Sequence, residues 1–212
     1  MNTARSMDVA LERTLSVVNE EAALVAELQG GSEEAFAYLL AVYQNPVFNL
    51  ISHIVTDEAD APDVLQEVLI KVFKGVRHFH GESSLKTWIY RIAVHEASNH
   101  RRGWLRRHAR EAFSMDDTEA SSQVAAAEVR EGPASPYQVV EQAEREEIVK
   151  RALAGLTPPY RSVVVLREIE GLPYDEIAQV LGVAEGTVKS RLMRGRALLR
   201  RKLSGRLGKV YV

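Results

Sequence analysis

The feature that most restricts what this chain can fold into is the period of its apolar residues. It is helical almost throughout, and no stretch shows a convincing strand pattern. Ala35, Phe36, Leu39, Leu40 and Tyr43 stack on one helical face, and the run continues through Val47, Leu50 and Ile51. Pro46 lacks the amide hydrogen that an inner turn uses, so a break or kink is expected there. Val64, Leu65, Val68, Leu69, Val72 and Phe73 repeat the spacing, preceded by Asp60 and Pro62, residue types that favour a first turn. Trp88, Ile89, Ile92, Ala93 and Ala97 mark another helix. Even the β-branched Val163-Val164-Val165 sits in a helical frame between Pro159 and Gly171. The period dissolves from about Arg106 to Val139, in a stretch ending Gly132-Pro133-Ala134-Ser135-Pro136. It resumes at Val140 and runs through Ile148, Leu153 and Leu156 to about Leu203. The expectation is an all-α protein of two small helical domains. An N-terminal extension (1–20) precedes the first domain (21–105), a flexible linker (106–139) follows, and the second domain (140–206) carries a helix-turn-helix.

Composition narrows the chemistry. The 212 residues include no cysteine, which excludes disulfides, zinc fingers, iron–sulfur clusters and thiol catalysis. No apolar run approaches the roughly 18 residues that span a bilayer, and Met1 to Glu21 has no secretory pattern, so a cytoplasmic protein without membrane insertion is expected. The net charge of −2 conceals an asymmetry. From Glu185 to Val212 there are nine basic residues (Lys189, Arg191, Arg194, Arg196, Arg200, Arg201, Lys202, Arg206, Lys209) against Glu185. A second basic cluster comprises Arg101, Arg102, Arg106, Arg107 and Arg110, whereas Asp57, Glu58, Asp60, Asp63 and Glu67 form an acidic stretch. Basic patches suit nucleic acid, and the acidic one suits a basic protein partner.

Tyr174 to Leu192 has the pattern of a helix-turn-helix. Ile177 and Leu181 face inward on its first helix, Ala178 is small at the crossing, and Gly182 occupies the turn, where positive φ is needed. Val183 plugs the corner, and Val188 and Leu192 anchor the second helix. Gly186, Lys189, Ser190, Met193 and Arg194 then face outward, with Arg191 and Arg196 at the margin. Such a helix fits the major groove, where Arg or Lys bonds guanine O6 and N7. The N–H groups of Glu185, Gly186 and Thr187 at its start can meet a phosphate. A plain helical hairpin with a solvated basic face would not require all these offsets together.

The first module carries the rest of the reading. His78 to Ala93 (a Phe, a Gly-acid-Ser loop, then Thr87-Trp88-Ile89-Tyr90-Arg91-Ile92-Ala93) resembles the −10 recognition segment of extracytoplasmic-function (ECF) sigma factors of the sigma-70 family. Asp60 to Phe73 resembles the helix those proteins place against the polymerase β′ clamp, and Leu156 to Arg196 resembles their region 4. Together the likeness spans about residues 20–104 and 140–202. It departs at Pro62, where an acid is common, and in the first 20 residues, which have no counterpart. The resemblance implies a sigma factor that binds core RNA polymerase through the β′ clamp and β flap, recognises promoter −10 and −35 elements, and initiates transcription. It implies −35 contacts from Gly186, Thr187, Lys189, Ser190, Arg191, Met193, Arg194 and Arg196. It implies −10 contacts from His80, Gly81, Glu82, Ser83, Ser84, Asn99, Arg101 and Arg102, and polymerase contacts from Asp63, Gln66, Glu67 and Lys71. Trp88 is expected in the core rather than stacked on a base. Members of the family are often held by an anti-sigma factor, and a flexible linker permits the closed arrangement this needs.

Linker length agrees with these roles. Promoter elements about 25 base pairs apart lie roughly 85 Å apart, leaving about 60 Å between module surfaces. A flexible chain of about 35 residues typically spans about 30–35 Å and reaches about 115 Å when extended. It can bridge the elements only if something holds it stretched.

Enzyme readings fail on spacing. Gly81 to Thr87 has Leu85 where a phosphate-binding loop needs glycine before its lysine. His95 and His100 stand five residues apart, about 140° around a helix, not on the one face a zinc site uses. Neither a cofactor nor a metal is expected. The remaining alternative is a polymerase-independent helix-turn-helix regulator of duplex operators. The first module speaks against it, showing neither a ligand pocket nor a strand pattern of a sensing domain.

Overall fold

A computed structural model describes residues 19–55, 57–111 and 136–207; the first residues and the central part of the expected linker lie outside them. The described residues are helical with no strand. Helix α1 (19–30) leads through Gly31, at φ +82°, to α2 (Glu33–Ile54). A short 3-10 turn, Glu58–Asp60, precedes α3 (Ala61–Gly75), and α4 follows (Leu85–Glu111). The second module comprises α5 (Pro136–Ala154), α6 (Pro158–Val164) with a π-helical turn (Val165–Ile169), α7 (Tyr174–Leu181) and α8 (Glu185–Leu207).

Local chemistry explains most boundaries. Ser32 caps α2, its Oγ accepting from the Ala35 N–H at 3.2 Å. Ser84 caps α4 in the same way, accepting from Thr87 N–H at 3.1 Å. Asp60 precedes α3 without a side-chain capping bond, and its carboxylate instead lies 3.6 Å from His100. The expected break at Pro46 does not occur, and α2 continues through it. Pro46 only deprives the carbonyl four residues back, on exposed Val42, of an intrahelical donor, and water can serve that group. Helices α4 and α5 also run into the stretch read as linker, covering residues 106–111 and 136–139.

In the first module α2, α3 and α4 pack on one another around Leu39, Leu50, Ile51, Val68, Val72, Leu85 and Ile89. Helix α1 closes the end of this bundle. Leu28 is buried, and the Gln29 amide donates to the Phe79 carbonyl at 2.8 Å. Trp88 lies against the Phe79 ring (centroids 5.2 Å apart) and over Gly75, where a Cβ would come within 3.1 Å of it. Gly75 therefore makes room for Trp88, whose place is in the packing, as expected.

The second module is built on the crossing of α6 and α8. A Cβ on Gly195 would stand 2.7 Å from Val164 Cγ2 and 3.3 Å from the Tyr160 carbonyl oxygen, so the close approach requires glycine. Val163 to Leu166, Ile177, Val188 and Leu192 complete this core.

The modules are packed together. Helix α4 lies along α7, and α2 touches α5, α6 and the π turn. Thr87 donates to Glu176 at 3.2 Å, the Tyr90 hydroxyl to Glu170 at 2.7 Å, and Arg91 Nε to the Gln179 carbonyl at 3.1 Å. Lys150 pairs with Glu58 at 2.7 Å. Arg161, only 1% exposed, fastens the joint. Its guanidinium donates to Leu153, Ala154 and Leu156 at the end of α5, and across to Ile54 and Val55 at the end of α2. Helix ends leave carbonyls without intrahelical donors, so one buried guanidinium satisfies several at once.

Candidate nucleic-acid interface

Helix α8 presents the basic face. Gly182 ends α7 at φ +62°, ψ +40°, the left-handed conformation the turn requires. Ile177, Val188 and Leu192 are buried, and Leu181, Ala178 and Val183 pack partly buried against them. Val180 is buried more deeply than Leu181, which turns the inward face of α7 slightly from the expected one. Gly186, Lys189, Ser190, Met193, Arg194 and Arg196 are exposed, Met193 by 67%, while Arg191 and Thr187 are half-buried. Two of the cations already have partners: Lys189 pairs with Glu185 at 2.6 Å and Arg196 with Glu168 at 2.7 Å. The Thr187 N–H is not free for a phosphate, because it donates to the Ala184 carbonyl at 2.8 Å. That part of the helix-start expectation is corrected, since the first turn already closes on residue 184.

The loop before α4 brings together His80, Gly81, Glu82, Ser83 and Ser84, with His80 and Glu82 exposed and Gly81 at φ +75°. Ser84 is committed to its cap and to a 2.8 Å hydrogen bond with Thr87. About four turns further along α4, Asn99 holds Arg102 and touches the His95 ring. Arg101 is half-buried towards α6. In this arrangement α7 lies on the part of α4 between the two groups, through Thr87 and Arg91, while Tyr90 reaches Glu170 just after the π turn. Nothing in the sequence marks these three as contacts, since their partners are about 80 or more residues away.

The outer face of α3 exposes Asp63, Gln66, Glu67 and Lys71 as one stripe. Lys71 reaches back to buried Glu96 at 2.6 Å. Burial alone would raise the Glu96 pKa, but hydrogen bonds and charge from Lys71 and His95 outweigh it and hold the carboxyl below its ordinary range. The stripe continues into exposed Ile70 and Phe73, so this face is partly apolar. Among the described residues no group of three or more His, Asp or Glu converges as a metal site would, and no helix is long and apolar enough to cross a membrane.

An all-helical chain with a helix-turn-helix, a basic recognition face and a second helical bundle bearing a polar loop is a DNA-binding transcription protein. Two family descriptions match in sequence: Sigma-70 region 2 over residues 39–111 and Sigma-70, region 4 over residues 146–199. The chain is 35% identical over 181 residues to the ECF RNA polymerase sigma-E factor of Haemophilus influenzae, covering 85% of this chain and 94% of that one. It is also 35% identical over 180 residues to the Escherichia coli K12 protein of the same description, covering 85% and 92%. The solved structure of the sigma factor RpoE in complex with the anti-sigma factor NepR, from Bartonella quintana, superposes with TM-score 0.59 at 25% identity, over 80% of this chain and 96% of that one. CnrH, solved with the cytosolic domain of CnrY, shares the fold at TM-score 0.62 and 21% identity, over 88% and 98%. The chain belongs to the ECF sigma factors of the sigma-70 family, and its function is to direct core RNA polymerase to promoters. That membership sets aside the polymerase-independent regulator.

Proposed function

We propose that α8 reads the −35 duplex through Lys189, Ser190, Met193, Arg194 and Arg196, with Gly186 and Thr187 near the backbone and Arg191 at the margin. His80 to Ser84, with Asn99, Arg101 and Arg102, hold the melted −10 strand, and Asp63, Gln66, Glu67 and Lys71 meet the β′ clamp. The second module also meets the β flap. The exposed basic face of α8 carries this reading, because a helix buried on one side and cationic on the other fits a major groove. Residues 21–105 and 140–206 act as the two units, joined through 106–139. The protein works in the cytoplasm, catalyses nothing itself and needs no cofactor.

The packed arrangement adds a step. Promoter elements roughly 85 Å apart cannot be engaged by two modules in direct contact. Core polymerase must therefore separate α4 from α7 and stretch the linker between them. Free protein should then bind promoter duplex weakly and core should confer tight binding. By likeness to the RpoE–NepR pair, an anti-sigma factor is a further partner. Transcription in vitro with core polymerase is the test. If the protein programmes core for no promoter, or if free protein gives a nanomolar, promoter-specific footprint at physiological salt, the proposal is wrong.

A further inference from the structure

Where α4 meets α6, α7 and α8 there is a pocket of about 350 Å³, with Arg91, Arg101, Arg102, Arg161 and Arg191 in its walls and no aspartate or glutamate. Three of the five guanidiniums are at least partly engaged: Arg91 on the Gln179 carbonyl, Arg102 on Asn99, and Arg161 on backbone carbonyls. Arg101 is different. Its Nε and NH1 are buried and meet no hydrogen-bond acceptor among the described residues. Arg191 has no ion pair among those residues either, and it comes from the other module.

A guanidinium stays protonated, so it cannot escape burial by losing its charge as a lysine can. Buried charge without an acceptor is costly, and native structures almost always supply a partner. The mutual repulsion is visible in Arg161, whose pKa burial pushes down to about 10 with Arg101 adding to the effect. Converging guanidinium forks match the several oxygens of a phosphate better than a single carboxylate. Between the arginines the walls are mostly apolar, formed by Ile54, Val94, Pro158, Pro159, Val180 and Leu181, with His95, Ser98 and Ser162 as the polar exceptions, and the volume lies near the lower end for small-molecule sites.

We propose that this pocket binds a small phosphate-bearing anion, between pyrophosphate and a mononucleotide in size, held by Arg101 of α4 and Arg191 of α8. Because the two arginines come from different modules, the anion binds only while the modules are packed. It therefore favours the closed form over the opened form that core polymerase needs, by the ratio of its concentration to its dissociation constant. At about 100 times that constant, closed protein gains about a hundredfold. Promoter DNA is a poor occupant, since engaging both elements draws the two arginines apart. The inference stands on the packed arrangement and goes beyond the assignment of promoter contacts.

The full chain is titrated calorimetrically with pyrophosphate and, separately, with ATP in the absence of divalent metal, at constant ionic strength. One saturable site is expected. Arg101→Gln and Arg191→Gln should each bind at least tenfold more weakly, while Arg201→Gln, on the far end of α8, changes affinity less than twofold. Since the chain lacks cysteine, spin labels at Lys74→Cys and Asp175→Cys report the packing, and the anion should narrow their distance distribution. Equal affinity for the two probes makes phosphate the whole determinant, and tighter ATP binding assigns the apolar walls to the base. Either outcome supports the site. Absence of saturable binding overturns it. So does equal weakening by Arg201→Gln, weakening by Arg101→Gln but not Arg191→Gln, or binding of short single-stranded DNA alone. Transcription with core, run without added anion, tests the promoter assignment separately, so either can fail without the other.

Discussion

Replacing Arg161 with methionine keeps an unbranched apolar stem and removes the guanidinium that ties α5 to α2. Three of its bonds are well formed: Nε to Leu153 at 2.9 Å, and NH1 to Ile54 at 2.9 Å and Val55 at 3.1 Å. At about 2 kcal/mol for each hydrogen bond from a charged donor, they contribute about 6 kcal/mol. Methionine also relieves the burial of a charge. A pKa pushed down to about 10 corresponds to roughly 3 kcal/mol of that penalty. The balance is a loss of about 3 kcal/mol, a large fraction of the stability of an ordinary domain. For a chain of this size it lowers the melting temperature by about 6–12 °C. Arg161→Lys keeps the charge but not the fork, and should lie between the two. Urea unfolding followed by far-ultraviolet circular dichroism measures the difference, and the spin-label pair described above shows whether the modules separate first. If Arg161→Met unfolds within about 1 kcal/mol of the parent, the carbonyls are satisfied without the arginine and it is no clamp.

Arg194→Ala should weaken −35 binding by about 1–3 kcal/mol per lost base contact and leave core binding intact; a loss of core affinity in a pull-down would show that the exposed face of α8 has another role. Gly195→Ala forces a methyl against Val164 and should cost about 1–3 kcal/mol by thermal unfolding, and an unchanged melting temperature would mean that α6 and α8 separate freely. Glu96→Gln should cost about 1 kcal/mol at neutral pH, discounted because Lys71 is half exposed. The folded pKa of Glu96 lies below the unfolded one, so its contribution is present above the unfolded value and is lost as pH falls through the folded value. The gap between variant and parent should therefore close on acidification, and a gap of constant size would rule the ion pair out as its source.

Much of the fold was legible because its determinants are local. The period of Val64, Leu65, Val68 and Val72 reports which face of α3 is buried, whatever it packs against. Gly182 announces the turn because few other residues adopt positive φ, and Val188 and Leu192 follow at fixed offsets. The exposed α8 residues follow from the same geometry. Local signals misled where a neighbour absorbs the cost. Pro46 stays within α2, where its orphaned carbonyl belongs to exposed Val42, and Thr187 spends its N–H inside the first turn. The cap that the Ser84 hydroxyl supplies to α4 is visible only in the structure.

By itself, the sequence determined the helices, the helix-turn-helix, the two-module plan and the charge of each face. Periodicity, turn chemistry and residue type act over a few residues. Only the tertiary structure decided that the modules pack with α7 on α4, that Arg161 is interior rather than a surface cation, and that Arg101 and Arg191 share one pocket. Those facts depend on carbonyls and side chains brought together from about 80 to more than 100 residues apart, and no local pattern encodes the free energy of that meeting.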